Sequence, residues 1–325
     1  MKIDEVVRHY EKDLDAVKQF IQRELELYVS PFADVTRHII AGGGKRLRPL
    51  LVIISMDLCG LRTEKSSSPA AVIEFIHTAS LLHDDVLDHA SLRRGRKSAN
   101  RIWGNQTSIL VGDYLYSRAF ELIVNCMSPA VQRLMARATM SMVEGETIQL
   151  VKSSHIGISE EEYLGIIEKK TAVLMSAACA AGAMLAGAPQ ERVDALGYFG
   201  AEIGLAFQLT DDTLDYMAEE SVFGKSPGMD LKEGKITLPL IRAYGCADPP
   251  EQSLLETLVL KGGAISMEDL AAVNALINKY QGIDYALAKA RDHVEKATKA
   301  LAGFEESLPK EALFSIARHV VERQR

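Results

Sequence analysis

Cysteine is scarce and scattered: Cys59, Cys126, Cys179 and Cys246 are the only thiols in 325 residues, and no two form a CxxC pair. Neither a zinc site nor a disulfide framework is indicated, and a reducing cytoplasm suits the chain. Excess positive charge is also missing. The formal net charge of -7 argues against a nucleic-acid partner, which calls for a basic domain or stripe. Long apolar runs are absent too. The nearest, "TAVLMSAACAAGAMLAGAP" from Thr171 to Pro189, is rich in Ala, interrupted by Gly182 and Gly187 and closed by Pro. A spanning helix needs about 20 predominantly apolar residues, so this stretch reads as a close-packed core helix, and any membrane contact as peripheral at most. The opening "MKIDEVVRHYEKDLDAV" has no apolar h-region, so no secretory signal is expected. No stretch alternates with period two, no break looks like an interdomain linker, and no repeat of ordinary length is present.

What remains is helical. Apolar residues recur at helical spacing through "VIEFIHTASLL", "LVGDYLYSRAFELIV" and "VQRLMARATMSMVEGETIQL". With 47% hydrophobic and 25% charged residues there is ample material for a core. Gly, Pro and Ser cluster between the helical stretches, and Ser159 and Ser266 stand where each N-caps an acidic first turn. The expectation is all-α: one large bundle of about ten or more helices, spanning 1–325 as a single domain around a central cavity.

Against this apolar background one acidic group stands out. "LLHDDVLDHASLRRG", Leu81 to Gly95, sets Asp84, Asp85 and Asp88 among leucine and valine. On a helix Asp84 and Asp88 are i,i+4 neighbours, a like-charge pair costing roughly 0.2–0.5 kcal/mol. One such triplet reads as a solvated acidic face. A second copy changes that reading: "FQLTDDTLDY", Phe207 to Tyr216, repeats the spacing at Asp211, Asp212 and Asp215. Two helices, each with carboxylates one turn apart, could face one another across a cleft and hold hard divalent cations. Magnesium fits best, because it binds through few carboxylates plus waters and substrate phosphates.

Cations complement the acids. Lys45, Arg46 and Arg48 follow three glycines in "AGGGKRLRP". That is not a Walker loop, since Lys45 is followed by Arg rather than Ser or Thr, yet a glycine turn lets backbone N–H groups and cations approach a phosphate. His77 lies two turns before Asp84 and reads as a satisfied core histidine unless it too points to an anion. Arg93 and Arg94 offer planar bidentate donors for phosphate oxygens. Lys169, Lys170, Thr171, Gln208, Lys225 and Lys235 supply further donors, and Gln208, three residues before Asp211, falls on the same helical face. Together they suggest two needs: metal-bridged phosphate at the aspartates and metal-free phosphate at the cations.

From "GGGKRLRP" through "HTASLLHDDVLDHASLRRG", "LVGDYLYSRAF", "EGETIQL", "KKTAVL", "AFQLTDDTLDY" and "GKSPGMDLKEGKITLPL", the chain resembles end to end the trans-isoprenyl diphosphate synthases, and most of all the bacterial long-chain, octaprenyl-type enzymes. Thr213 departs from the family pattern, where an apolar residue is common. The resemblance implies an isoprenoid synthase fold, a cytoplasmic homodimer, and a head-to-tail condensation of isopentenyl diphosphate with an allylic diphosphate that depends on roughly two or three Mg²⁺ ions per site. It implies that Asp84, Asp88 and Asp211 ligate the metals while Asp85, Asp212 and Asp215 orient waters or lysines. Lys45, Arg48, His77 and Arg94 then hold isopentenyl diphosphate, and Arg93, Lys170, Lys225 and Lys235 the allylic diphosphate, with the oxygens of Thr171 and Gln208 facing the carbocation. The released pyrophosphate takes the proton, so no side chain is assigned as acid or base.

Product length is expected to depend on Ala79, backed by Ser80, with Ile76, Ile123 or Met135 further down as candidates for a floor. A quinone side chain is the anticipated use of the product. Three alternatives stay open: a short-chain farnesyl or geranylgeranyl synthase, a non-catalytic partner subunit of the same fold, and a di-iron bundle. The last is disfavoured because that architecture calls for inward Glu residues with Glu-x-x-His pairs.

Overall fold

Ser159 and Ser266 both cap helices as their sequence context suggests. Ser159 Oγ accepts from the Glu162 N–H at 3.1 Å while Glu162 Oε2 accepts from the Ser159 N–H at 2.9 Å. Ser266 and Asp269 form the same reciprocal pair, satisfying two donors that a helix N-terminus otherwise leaves open. In the computed structural model, residues 1–26, 32–41, 45–63, 66–93, 95–126, 128–217 and 228–322 are described. Nearly all of their regular structure is helical, from Ile3–His9 to Leu308–Glu322. Among the described residues no helix is long and apolar enough to cross a membrane.

Two compact units are present. The first gathers Met1–Thr139, Leu174–Gly200 and Ala300–Ile316, and the second Met140–Val173, Ala201–Lys299 and Ala317–Arg325. In the first unit the helix Ser67–Leu87 buries Val72, Ile73, Phe75, Ile76, Ala79 and Leu82 and packs chiefly on the helix Asn105–Cys126. Its last residues carry the first aspartate motif, and Asp88 caps it. Beyond the cap His89 adopts φ 51°, and the chain then forms an antiparallel ribbon of Leu92–Arg93 against Arg96–Lys97. Gly95, at φ 74°, permits the reversal. Among the described residues this ribbon is the one addition to the all-α expectation. Two residues per strand are too few to show as alternation.

In the second unit the helix Glu160–Ile167 runs into a π-helical turn, Glu168–Ala172, before the helix Val173–Leu185 begins. The apolar run from Thr171 is therefore not helical in one register from its start. Its α-helical part begins at Val173, whose N–H reaches back to the Glu168 carbonyl. The π turn carries Lys169, Lys170 and Thr171, and such turns are frequent at functional sites. The second motif lies on the helix Gln190–Met217, in the part beyond Ala201 that belongs to this unit. Its Gly204 sits against the π turn, where an added Cβ would come within 2.5 Å of Ala172 Cα.

That contact sets up a paired test. Replacing a helical Gly with Ala gains about 0.8–1 kcal/mol of propensity, but overpacking costs about 1–3 kcal/mol. Gly165→Ala, where nothing lies within 4 Å of the added Cβ, is expected to raise the denaturation midpoint. Gly204→Ala is expected to lower it, because a backbone atom cannot swing aside. Shifts of the same sign in both variants would contradict this packing.

Candidate active site

In the first unit the three aspartates are not equivalent. Asp85 is buried, 1% exposed, and its Oδ1 accepts from Arg93 Nε at 2.7 Å. Asn100 Nδ2 donates to the Asp85 backbone carbonyl at 2.9 Å. The other carboxylate oxygen, Oδ2, is buried without a hydrogen-bond partner. Burial raises the Asp85 pKa, Arg93 opposes that shift, and the Asp88 charge adds to it. Asp84 and Asp88 are half-buried. The Tyr116 phenol is pushed up to about 12 by burial and then by the Asp84 charge.

The basic residues divide. Arg48 Nη1 donates to His77 Nε2 at 3.2 Å, which joins two positions 29 residues apart. Lys45 Nζ lies 3.7 Å from Asp4 Oδ1. Arg94 lies outside the described residues, as does Lys225. Ile76, Ala79, Ile123 and Met135 are all buried. Ser80, half-buried, donates its hydroxyl to the His77 carbonyl at 2.8 Å.

The second unit repeats the inequality. Asp212 is buried, while Asp211 is exposed and Asp215 half-buried. Both Asp212 oxygens are held: Tyr163 donates its hydroxyl to Oδ2 at 2.6 Å, and Gln208 Nε2 donates to Oδ1 at 2.6 Å. Thr171 in turn donates to Gln208 Oε1 at 2.9 Å. Gln208 is thus bonded to the aspartate one turn on, at i+4, rather than to Asp211 at i+3. Burial moves the Asp212 carboxyl up to about 6, the bonds from Tyr163 and Gln208 oppose the shift, and the Asp211 charge adds to it. Asp215 Oδ2 accepts from the Asp230 N–H at 3.0 Å. The Asp230 carboxyl is pushed well above its ordinary range by burial, then by the charges of Asp212 and Asp215. Lys170 Nζ meets Gln149 Oε1 at 2.7 Å and Glu146 Oε2 at 2.5 Å, and Lys235 Nζ meets Glu233 Oε2 at 2.7 Å. Thr213 fits an apolar position because its hydroxyl is spent on the Leu209 carbonyl at 2.7 Å.

A model of the family described as polyprenyl synthetase matches residues 29–277. The chain belongs to the polyprenyl synthetase family. An octaprenyl diphosphate synthase of Haemophilus influenzae is 39% identical, covering 99% of this chain and 98% of its own. Among solved structures, a polyprenyl synthase from Caulobacter crescentus, complexed with calcium and isoprenyl diphosphate, superposes with a TM-score of 0.94 at 40% identity, covering 100% of this chain and 98% of that one. A decaprenyl diphosphate synthase from Rhodobacter capsulatus gives a TM-score of 0.93 at 37% identity, with 99% of each chain covered. This polyprenyl synthetase is a prenyltransferase with the isoprenoid synthase fold.

In each motif the donors a divalent cation would meet are carboxylate oxygens. Burial first, and then the charges of neighbouring carboxylates, raise Asp85 in the first unit and Asp212 and Asp230 in the second. Among the described residues no three such side chains are closed around one point. Mg²⁺ takes one or two carboxylates and fills its octahedron with waters and phosphate oxygens. Tyr163, Asn100 and Asp230 bond to the aspartate motifs and are not foreseen in the sequence. Asp230 lies inside the lysine segment "GKSPGMDLKEGK" and could have been singled out there. Tyr163 and Asn100 find their partners 49 and 15 residues away, with no periodic signal to mark either.

Proposed function

We propose that the chain is a long-chain trans-polyprenyl diphosphate synthase, with residues 1–325 acting as one catalytic domain. It joins isopentenyl diphosphate repeatedly to an allylic diphosphate and makes an octaprenyl-like all-trans product that serves as a quinone side chain. It works in the cytoplasm as a homodimer. The observation that carries this reading is the division of labour repeated in both motifs. The middle aspartate is buried and held by protein donors, and its flanking carboxylates are the more exposed ones.

Asp84, Asp88 and Asp211 would hold Mg²⁺, and Asp85, Asp212 and Asp215 would orient waters and neighbouring side chains; bound there, the ion would supply charge neutralisation of the allylic diphosphate and make it a better leaving group. Arg93, Lys170, Lys225 and Lys235 grip that diphosphate. As the C1–O bond breaks, its electron pair leaves with pyrophosphate and C1 becomes an allylic cation, faced by the oxygens of Thr171 and Gln208. Lys45, Arg48, His77 and Arg94 hold isopentenyl diphosphate so that its double bond attacks C1. The new C–C bond forms, a proton passes to pyrophosphate, and a double bond is restored. Identity to an octaprenyl synthase over nearly the whole chain supports the long product.

The two arginines test the division of the substrates. A hydrogen bond to a charged group is worth about 1.5–3 kcal/mol, so Arg94→Ala should raise the KM for isopentenyl diphosphate about ten-fold or more and spare the allylic substrate. Arg93→Ala should do the reverse. It should also lower the melting temperature, because Asp85 is left buried without its cation. That loss is about 1–3 kcal/mol, less than for a fully buried pair since Arg93 is 30% exposed. Equal kinetic effects on both substrates would defeat the assignment.

A further inference from the structure

The connected side chains Tyr163, Asp212, Gln208 and Thr171 have a fixed polarity. An ionised carboxylate only accepts, so whatever touches Asp212 must donate. Tyr163 supplies its O–H to one oxygen at 2.6 Å and Gln208 its amide N–H to the other at 2.6 Å. Once the Gln208 nitrogen is committed to Asp212, its oxygen must face Thr171, which donates to it at 2.9 Å. The hydroxyl hydrogen of Thr171 is thereby consumed. Only acceptor lone pairs remain on that oxygen, the electron-rich face that a developing cation requires. Were Asp212 free to rotate, the amide could turn over and its N–H groups and the threonine hydrogen would be repelled by that cation.

Tyr163 stops the rotation. It is 3% exposed and stands one turn into the helix Glu160–Ile167. Ser159 and Glu162 cap that helix, and Glu160 is bonded to Tyr285 and paired with Lys289. The phenol is therefore a fixed donor whose ring is packed in the core of the second unit. We propose that Tyr163 is a positioning residue: by locking Asp212 it sets the direction of the hydrogen bonds through Gln208 to Thr171, so that both present oxygen, not hydrogen, to the carbocation. This rests on the proposed prenyl transfer, in which Gln208 and Thr171 face the cation. It also makes Asp212 part of the framework rather than a ligand of the metal.

The test is Tyr163→Phe in the full chain, which keeps the ring and removes the donor. Turnover, both KM values, the melting temperature and the calorimetric affinity for inorganic pyrophosphate in Mg²⁺ are measured. The expected result is a fall in kcat of about ten-fold or more, the scale of one bond to a charged group. Both KM values and the pyrophosphate affinity should stay within about two-fold. Asp211→Asn, which touches a proposed ligand, should lose pyrophosphate affinity. An unchanged kcat in folded Tyr163→Phe, or a loss of pyrophosphate affinity matching the loss in kcat, overturns the assignment.

If Tyr163→Phe does not fold, Asp212→Asn decides. Its amide oxygen still accepts from Tyr163, and its NH₂ meets Gln208 once that amide turns over. The direction of the bonds is then reversed with no metal ligand lost, so kcat should fall while pyrophosphate affinity stays within about two-fold. A collapse of affinity in this variant overturns the assignment as well. Absence of any prenyl product from the wild-type chain would defeat the functional reading and this proposal with it. A wild-type chain that turns over beside an indistinguishable Tyr163→Phe defeats this proposal alone.

Discussion

Asp84→Ala and Asp211→Ala are each expected to lose at least about 10²–10³ in turnover, the scale seen when one preorganised electrostatic group is removed. The reason is charge. Asp84, Asp85 and Asp88 fall within five residues of sequence, Asp211, Asp212 and Asp215 repeat the pattern, and a diphosphate brings more negative charge. Without cations either motif repels a diphosphate. Chelation should abolish turnover, and added Mg²⁺ should restore it in the wild type. In the alanine variants saturating Mg²⁺ should not, because a ligand is gone rather than an ion. Steady-state kinetics across a Mg²⁺ titration reads both effects, and near-wild-type turnover in either variant would remove the basis for metal binding at the motifs.

The second large effect concerns what the enzyme makes rather than how fast. Ala79 stands five residues before Asp84 on one helix, roughly 7–8 Å along it at 1.5 Å per residue. It is fully buried, as are Ile76, Ile123 and Met135. Ala79→Phe introduces a ring where the wild type has a methyl group. It should cost about 1–3 kcal/mol in overpacking, leave the aspartates untouched, and cut the main product to farnesyl or geranylgeranyl length. Mass analysis of the product, with a melting curve to show that the variant folds, gives the answer. A folded, active variant that still makes the wild-type length would show that the growing tail does not pass residue 79.

Much of this was legible in the residues because it is written locally. Helical periodicity, the Ser159 and Ser266 caps and the duplicated aspartate spacing are short-range patterns, and each is present in the structure. The ribbon Leu92–Arg93 with Arg96–Lys97 was not, since two-residue strands leave no alternation to count. The π turn Glu168–Ala172 was hidden for a related reason: it falls on the mostly polar stretch "EKKTA", which has no apolar periodicity for one inserted residue to disturb. The inner partners were least visible. That Asp85 takes Arg93 depends on the ribbon that follows the helix, and that Asp212 takes Tyr163 depends on the packing of two helices, while Gln208 reaches Asp212 one turn on along its own helix. Identical spacing in the two motifs therefore hides different solutions to one problem. One buried carboxylate is balanced by a guanidinium, and the other by two neutral donors.

The most direct measurement is the mass of the product formed from farnesyl diphosphate, isopentenyl diphosphate and Mg²⁺ by the purified chain alone. A long all-trans polyprenyl diphosphate of about octaprenyl length, absent when Mg²⁺ is chelated, is the expected result. A product that stops at geranylgeranyl length would contradict the long-chain assignment, and no condensation at all in the presence of Mg²⁺ would contradict catalysis by this chain.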